Sequence, residues 1–137
     1  ACHKINDEGQ VFGPDLVKLD VKKHTTEYIL QSILEPSKDI DDKFVSYAFQ
    51  MDSGKVVTGM IVKESADEVQ IVIDPLAKGK PTVLLTAQIE ARKKSPISLM
   101  PKGMMDKLSR EEILDLIAYI FARGDKTNKL FMHGHPE

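Results

Sequence analysis

Cys2-His3 is the first place in this chain where residue type and spacing point to chemistry. A thiol followed at once by an imidazole is the second half of the haem-attachment pattern C-x-x-C-H. In that pattern the thiol adds to a haem vinyl group and the histidine ligates the iron. On its own the dipeptide more often marks a surface cysteine beside an unrelated histidine. Ser98-Leu99-Met100-Pro101 offers a second donor. A thioether is a soft ligand that favours reduced iron, and a proline directly after it restricts the backbone that holds it. Met100 also reads, like Met104 and Met105, as a filler of gaps in an apolar core.

The remaining polar clusters point less far. His24, in Lys22-Lys23-His24, lies in a polar stretch ahead of a helix and reads as solvated. His133 and His135 could pinch a divalent metal or a second haem, but two histidines on a polar tail are usually solvent-exposed. Asp39, Asp41 and Asp42 lack the spaced oxygens and central glycine of a calcium loop, so they read as a solvated turn. Arg92-Lys93-Lys94 is a short basic run that would steer an acidic redox partner or form a solvated edge. No Gly-x-Ser-x-Gly elbow, P-loop or dinucleotide fingerprint is present, which leaves a serine or thiol hydrolase reading with little support.

The elements that must position these residues follow from length and pattern. At roughly 150 residues per domain, a chain of 137 residues is one unit with room for a sub-domain. Its 19 basic and 21 acidic side chains leave a net charge of −2, too little positive excess for a polyanion-binding surface, so nucleic acid is not an expected partner. A single cysteine excludes an internal disulfide framework and the usual structural zinc sites. No apolar run approaches the roughly 18 residues that span a bilayer. The chain starts at Ala1 without an initiator Met and reads as processed or cut from a longer protein, so missing targeting signals say nothing about compartment.

Three regions of different periodicity follow one another. After Gly13-Pro14-Asp15, a short helix capped by Thr25 or Thr26 places Ile29, Leu30, Ile33 and Leu34 on one face and stops at Pro36. Between about residues 44 and 94, four β-branched or aromatic runs (44–49, 56–62, 69–73, 82–86) predict a small antiparallel sheet or partial barrel. Asp52-Ser53-Gly54 would turn its first hairpin and Gly59 would bulge it. From Ser95 on, the pattern returns to helix. Ser109-Arg110-Glu111-Glu112 is a capping box, and Ile113, Leu116, Ile117, Ile120 and Phe121 form an apolar stripe that Gly124 ends. A polar tail, 125–137, is expected to be loosely held, with Leu130 and Phe131 available to dock it.

Taken in order, these stretches resemble a known family. Ala1-Cys2-His3, Gly13-Pro14-Asp15-Leu16, Ser32 to Ser37, Asp52-Ser53-Gly54 with Thr58-Gly59, Ser98 to Gly103, and Leu108-Ser109 through Asp115-Leu116-Ile117-Ala118-Tyr119 are similar to class I c-type cytochromes. The likeness is nearest to the haem-binding domain of large secreted planctomycete and verrucomicrobial proteins. The resemblance implies an α+β chain, mainly an α cytochrome c-like haem fold, with the small antiparallel sheet (44–94) inserted between the middle helix and the Met-ligand loop in a single domain, 1–137.

It also implies the roles. Cys2 would hold haem c by a thioether, with His3 as the proximal iron ligand and Met100 as the distal one. Pro14 would accept the His3 Nδ1 proton. A capped helix, 111–123, carrying Tyr119 beside the haem, would cross a helix that begins at the attachment motif. The function implied is electron transfer, with no catalysis by this chain, fed by a redox partner or a linked dehydrogenase, in a periplasmic or cell-surface location. The pattern needs a first cysteine three residues before Cys2, ahead of residue 1, so either the chain begins inside the motif or one thioether holds the haem. Two other readings stay open: the sheet as a protein- or glycan-binding module, for which Tyr47 and Phe49 share a face, and a haem sensor or peroxidase-like site if Met100 is labile.

Overall fold

The computed structural model describes residues 2–77 and 80–131. It divides into two compact units: one of the segments up to Lys38 and from Met100 on, the other of Asp39–Leu99.

In the first unit, strands β1 (Lys4–Ile5) and β2 (Glu8–Gly9) pair antiparallel, Lys4 opposite Gly9. The two residues between them, Asn6 and Asp7, have φ of 48° and 64°. Both conformations are left-handed, which Asn and Asp tolerate best and which a two-residue hairpin requires. The helix expected at the attachment motif is therefore replaced by a tight hairpin, whose Asn-Asp turn outweighs any helical tendency. Helix α1 (Thr26–Leu34) starts where Thr25 Oγ1 accepts from Tyr28 N at 3.2 Å. Helix α2 (Arg110–Phe121) starts with the full capping box, Ser109 Oγ accepting from Glu112 N and Glu112 accepting from Ser109 N. The facing stripes bury Ile29, Ile33, Ile117 and Ile120 with Met105. Leu130 and Phe131, available to dock the tail, are exposed.

The second unit is a five-stranded antiparallel sheet of β3 (Ser46–Met51), β4 (Val56–Glu64), β5 (Glu68–Val72), β6 (Thr82–Leu85) and β7 (Ile89–Lys94), in the order β6-β5-β4-β3-β7. β6 and β7 lie at opposite edges, yet only Thr86–Gln88 join them. Four residue steps reach at most about 14 Å, whereas five flat strands would span about 19 Å at their usual spacing. The sheet therefore curls, and its inner face encloses Phe49, Met51, Val69, Ile71 and Leu84, with Phe49 and Ile71 wholly buried. Register shifts fall at Gln50/Met51 and Ile61/Lys63 rather than at Gly59. Gly59 is instead a point of close approach, since a Cβ there would meet Val72 O at 2.7 Å.

These observations overturn the mainly α cytochrome c-like architecture. More residues lie in strands than in the two α-helices, both helices are short, and the sheet has five strands. The fifth, β7, alternates apolar and charged residues only over its first four positions, Ile89 to Arg92, and then runs into Lys93 and Lys94; pairing with β3 carries it on to Lys94. No helix among the described residues is long and apolar enough to cross a membrane.

Candidate functional site

The residues singled out for chemistry, Cys2, His3, Pro14, Met100 and Tyr119, all belong to the first unit and are all half-buried. Cys2, His3 and Pro14 form one cluster. Gly13 N donates to Cys2 O at 3.0 Å, drawing the turn 13–15 back onto the start of the chain. Pro14 O then lies 2.8 Å from His3 Nδ1. A carbonyl can only accept, so Nδ1 carries a proton here, and in the neutral ring the Nε2 lone pair is the one left to ligate. Gly13 is the residue that admits the ring, because a Cβ there would stand 2.5 Å from His3 Cε1 and 2.7 Å from Nδ1. Asp15 continues the turn, its Oδ1 accepting from Val17 N at 3.0 Å.

Met100 packs against the α1–α2 core, as Leu16 and Leu19 do. Beside its loop, Ile33, Leu34, Lys102, Gly103, Met105 and Asp106 line an open cleft of about 460 Å³. Tyr119 lies on α2, and its carbonyl accepts from Gly124 N at 3.1 Å. Cys2 is a free thiol.

The other polar groups are occupied locally. His24 Nδ1 lies 3.1 Å from Asp20 O, and its ring meets Tyr28 edge-on at 5.3 Å between centroids. Asp41 accepts from Lys43 N at 3.0 Å, and Asp42 pairs with Lys94 at 2.9 Å. That hydrogen bond, reinforced by Asp42's charge, raises the Lys94 ammonium above its ordinary value. Arg92 pairs with Glu64 at 2.7 Å and stacks over Tyr47. Phe49 is wholly buried and Tyr47 packs with it, so these two make sheet core and no exposed aromatic platform. His133 and His135 lie outside the described residues. Among the described residues no three His, Cys, Asp or Glu side chains converge as a metal-binding group.

The turn that follows His3 and the contact of Gly13 with the ring are new to the structure. Asn6-Asp7 was the available signal for the first, as a pair of left-handed-tolerant residues between Ile5 and Glu8. No family model matches the chain, and no curated protein matches it.

Haem c asks of this chain a thiol, an imidazole with one nitrogen free to ligate, and a soft second donor. The cluster fits the first two: the thiol adjoins the imidazole, and the ring's orientation and tautomer are set from the Nδ1 side. Met100 has the chemistry of the third, a soft thioether.

Proposed function

We propose that this chain carries a c-type haem, bound through Cys2 and ligated by His3 and Met100, and acts as an electron carrier. The observation that supports it most is the 2.8 Å hydrogen bond from His3 Nδ1 to Pro14 O, with Gly13 closed against the ring. When bound, the haem supplies a one-electron iron couple. Everything else falls to the protein. Pro14 O orients the imidazole and makes Nε2 a stronger donor, the contact that metal-ligating histidines commonly need. Cys2, adjacent in the chain, would tether what His3 ligates. The Met100 thioether would favour the reduced state, and the apolar core on which it packs would keep water from the sulfur. The residues carry this reading; the architecture implied by the family resemblance does not. A redox partner or linked dehydrogenase as electron source, and a location outside the cytoplasm, follow from the same reading.

Intact mass with a pyridine haemochrome spectrum tests it, on protein matured where haem attachment is possible. One added haem is the expected result, and the band position separates one thioether from two. An unmodified mass sinks the reading. In Met100→Ala the reduction potential should fall and the reduced protein should bind carbon monoxide. An unchanged potential would move the sixth ligand to Met104, Met105 or His24.

A further inference from the structure

Arg123 occupies a position that helix geometry reserves for glycine. At the end of α2, Gly124 N donates to Tyr119 O at 3.1 Å and Arg123 N to Ile120 O at 3.0 Å, the paired bonds of a Schellman stop. The left-handed residue of that stop is Arg123, with φ of 54°. A side chain there is strained where glycine would not be. The guanidinium supplies a reason to keep it. Nε and Nη2 both donate to Leu19 O, at 3.1 and 3.0 Å, and Nη1 donates to Phe121 O at 3.2 Å.

Leu19 closes the short stretch that opens at Pro14. Within it Asp15 caps the turn Leu16–Lys18, and Lys18 N donates to Asp15 O at 3.1 Å, so holding Leu19 also holds Pro14 O. On the other flank Asn6 Nδ2 donates to Gly124 O at 3.3 Å. That bond ties the hairpin turn following His3 to the same corner. The two residues that stop α2 therefore anchor both partners of the His3–Pro14 hydrogen bond, although Arg123 and Leu19 lie 104 residues apart.

We propose that Arg123 is a positioning residue for His3: its fork on Leu19 O fixes the stretch 14–19 so that Pro14 O holds the Nδ1 proton and leaves Nε2 to ligate. The proposal rests on the reading of His3 as an iron ligand, and Arg123 itself touches no ligand. Its test is the His3 ring in the full chain as purified, with 15N-edited spectra reporting the Nδ1 proton and its exchange with solvent. Arg123→Gly keeps the left-handed stop and removes the fork. The Nδ1 proton should then exchange at least tenfold faster while the amides of α2 keep their protection. Arg123→Lys retains one donor able to reach Leu19 O and should fall between Gly and the parent. If Arg123→Gly frays α2, Arg123→Lys decides alone, because its backbone strain equals that of the parent. An unchanged ring proton in Arg123→Lys with fraying, or in both variants without it, overturns the proposal. Intact mass on the same samples separates the two ideas. Faster exchange without attached haem leaves the positioning role standing and removes the haem reading. Attached haem with an unchanged ring proton does the reverse.

Discussion

The helical unit and the sheet unit satisfy their backbones by different means. In the sheet, strand ladders pair the N–H and C=O groups, and side chains are free to build one continuous core around Phe49 and Ile71. Among the described residues of the helical unit, regular structure is confined to α1, α2, a six-residue hairpin and two three-residue 3-10 turns, Leu16–Lys18 and Lys129–Phe131. Its loops are held bond by bond, Gly13 N to Cys2 O, His3 to Pro14 O, Arg123 to Leu19 O and Asn6 to Gly124 O. Buried backbone groups need partners either way. Where ladders do not supply them, isolated backbone bonds and individual side chains do, and those side chains are thereby held in place. Every residue proposed here for haem chemistry lies in the unit of the second kind.

The largest effect that would test this contrast is on the sheet. Phe49→Ala should cost about 3–5 kcal/mol, read as lost amide protection across β3–β5. Equal loss across α1 would erase the distinction between the units. Next comes Gly13→Ala, which sets a methyl against the His3 ring. Overpacking of about 1–3 kcal/mol is expected, together with loss of the slowly exchanging Nδ1 proton, measured by thermal melting and by ring 15N spectra. A variant that melts lower with its ring proton intact would detach Gly13 from the site. Ser109→Ala removes half of the capping box and should cost about 1 kcal/mol, visible first as faster exchange in the opening turn of α2.

The smallest effect belongs to the exposed Asp42–Lys94 pair. Because the folded state holds Lys94 above its ordinary value of 10.5, the stability it contributes is complete below that value and lost as pH rises through the folded one. Asp42→Asn should flatten this alkaline loss in denaturant titrations at high pH. An identical pH profile would show that the pair contributes nothing to fastening β7.

Much of the local structure was legible in the residues. Thr25 and Ser109 cap the helices, and α1 ends just before Pro36. The four apolar runs between residues 44 and 86 are strands β3 to β6. The helix that was expected after the attachment motif and the mainly α architecture came from the resemblance, not from periodicity. Asn6-Asp7 spoke for a turn instead. β7 was not legible because its apolar alternation, Ile89 and Ala91 against Glu90 and Arg92, is short and runs into Lys93 and Lys94. The sequence pattern puts the stop of α2 at Gly124, yet the left-handed position next to the helix is held by Arg123, which no propensity would select.

By itself the sequence determined what depends on neighbours within a few residues: caps, tight turns, alternating strands, and the thiol beside the imidazole. Those features rest on short-range sterics and hydrogen bonds that residue types specify directly. The tertiary structure alone decided that β7 closes onto β3, that Gly13 admits the His3 ring, and that Arg123 reaches Leu19 O. Each of these needs groups distant in the chain to meet, and such meetings are selected by burial and by the need to pair every enclosed polar group. A linear pattern carries neither constraint.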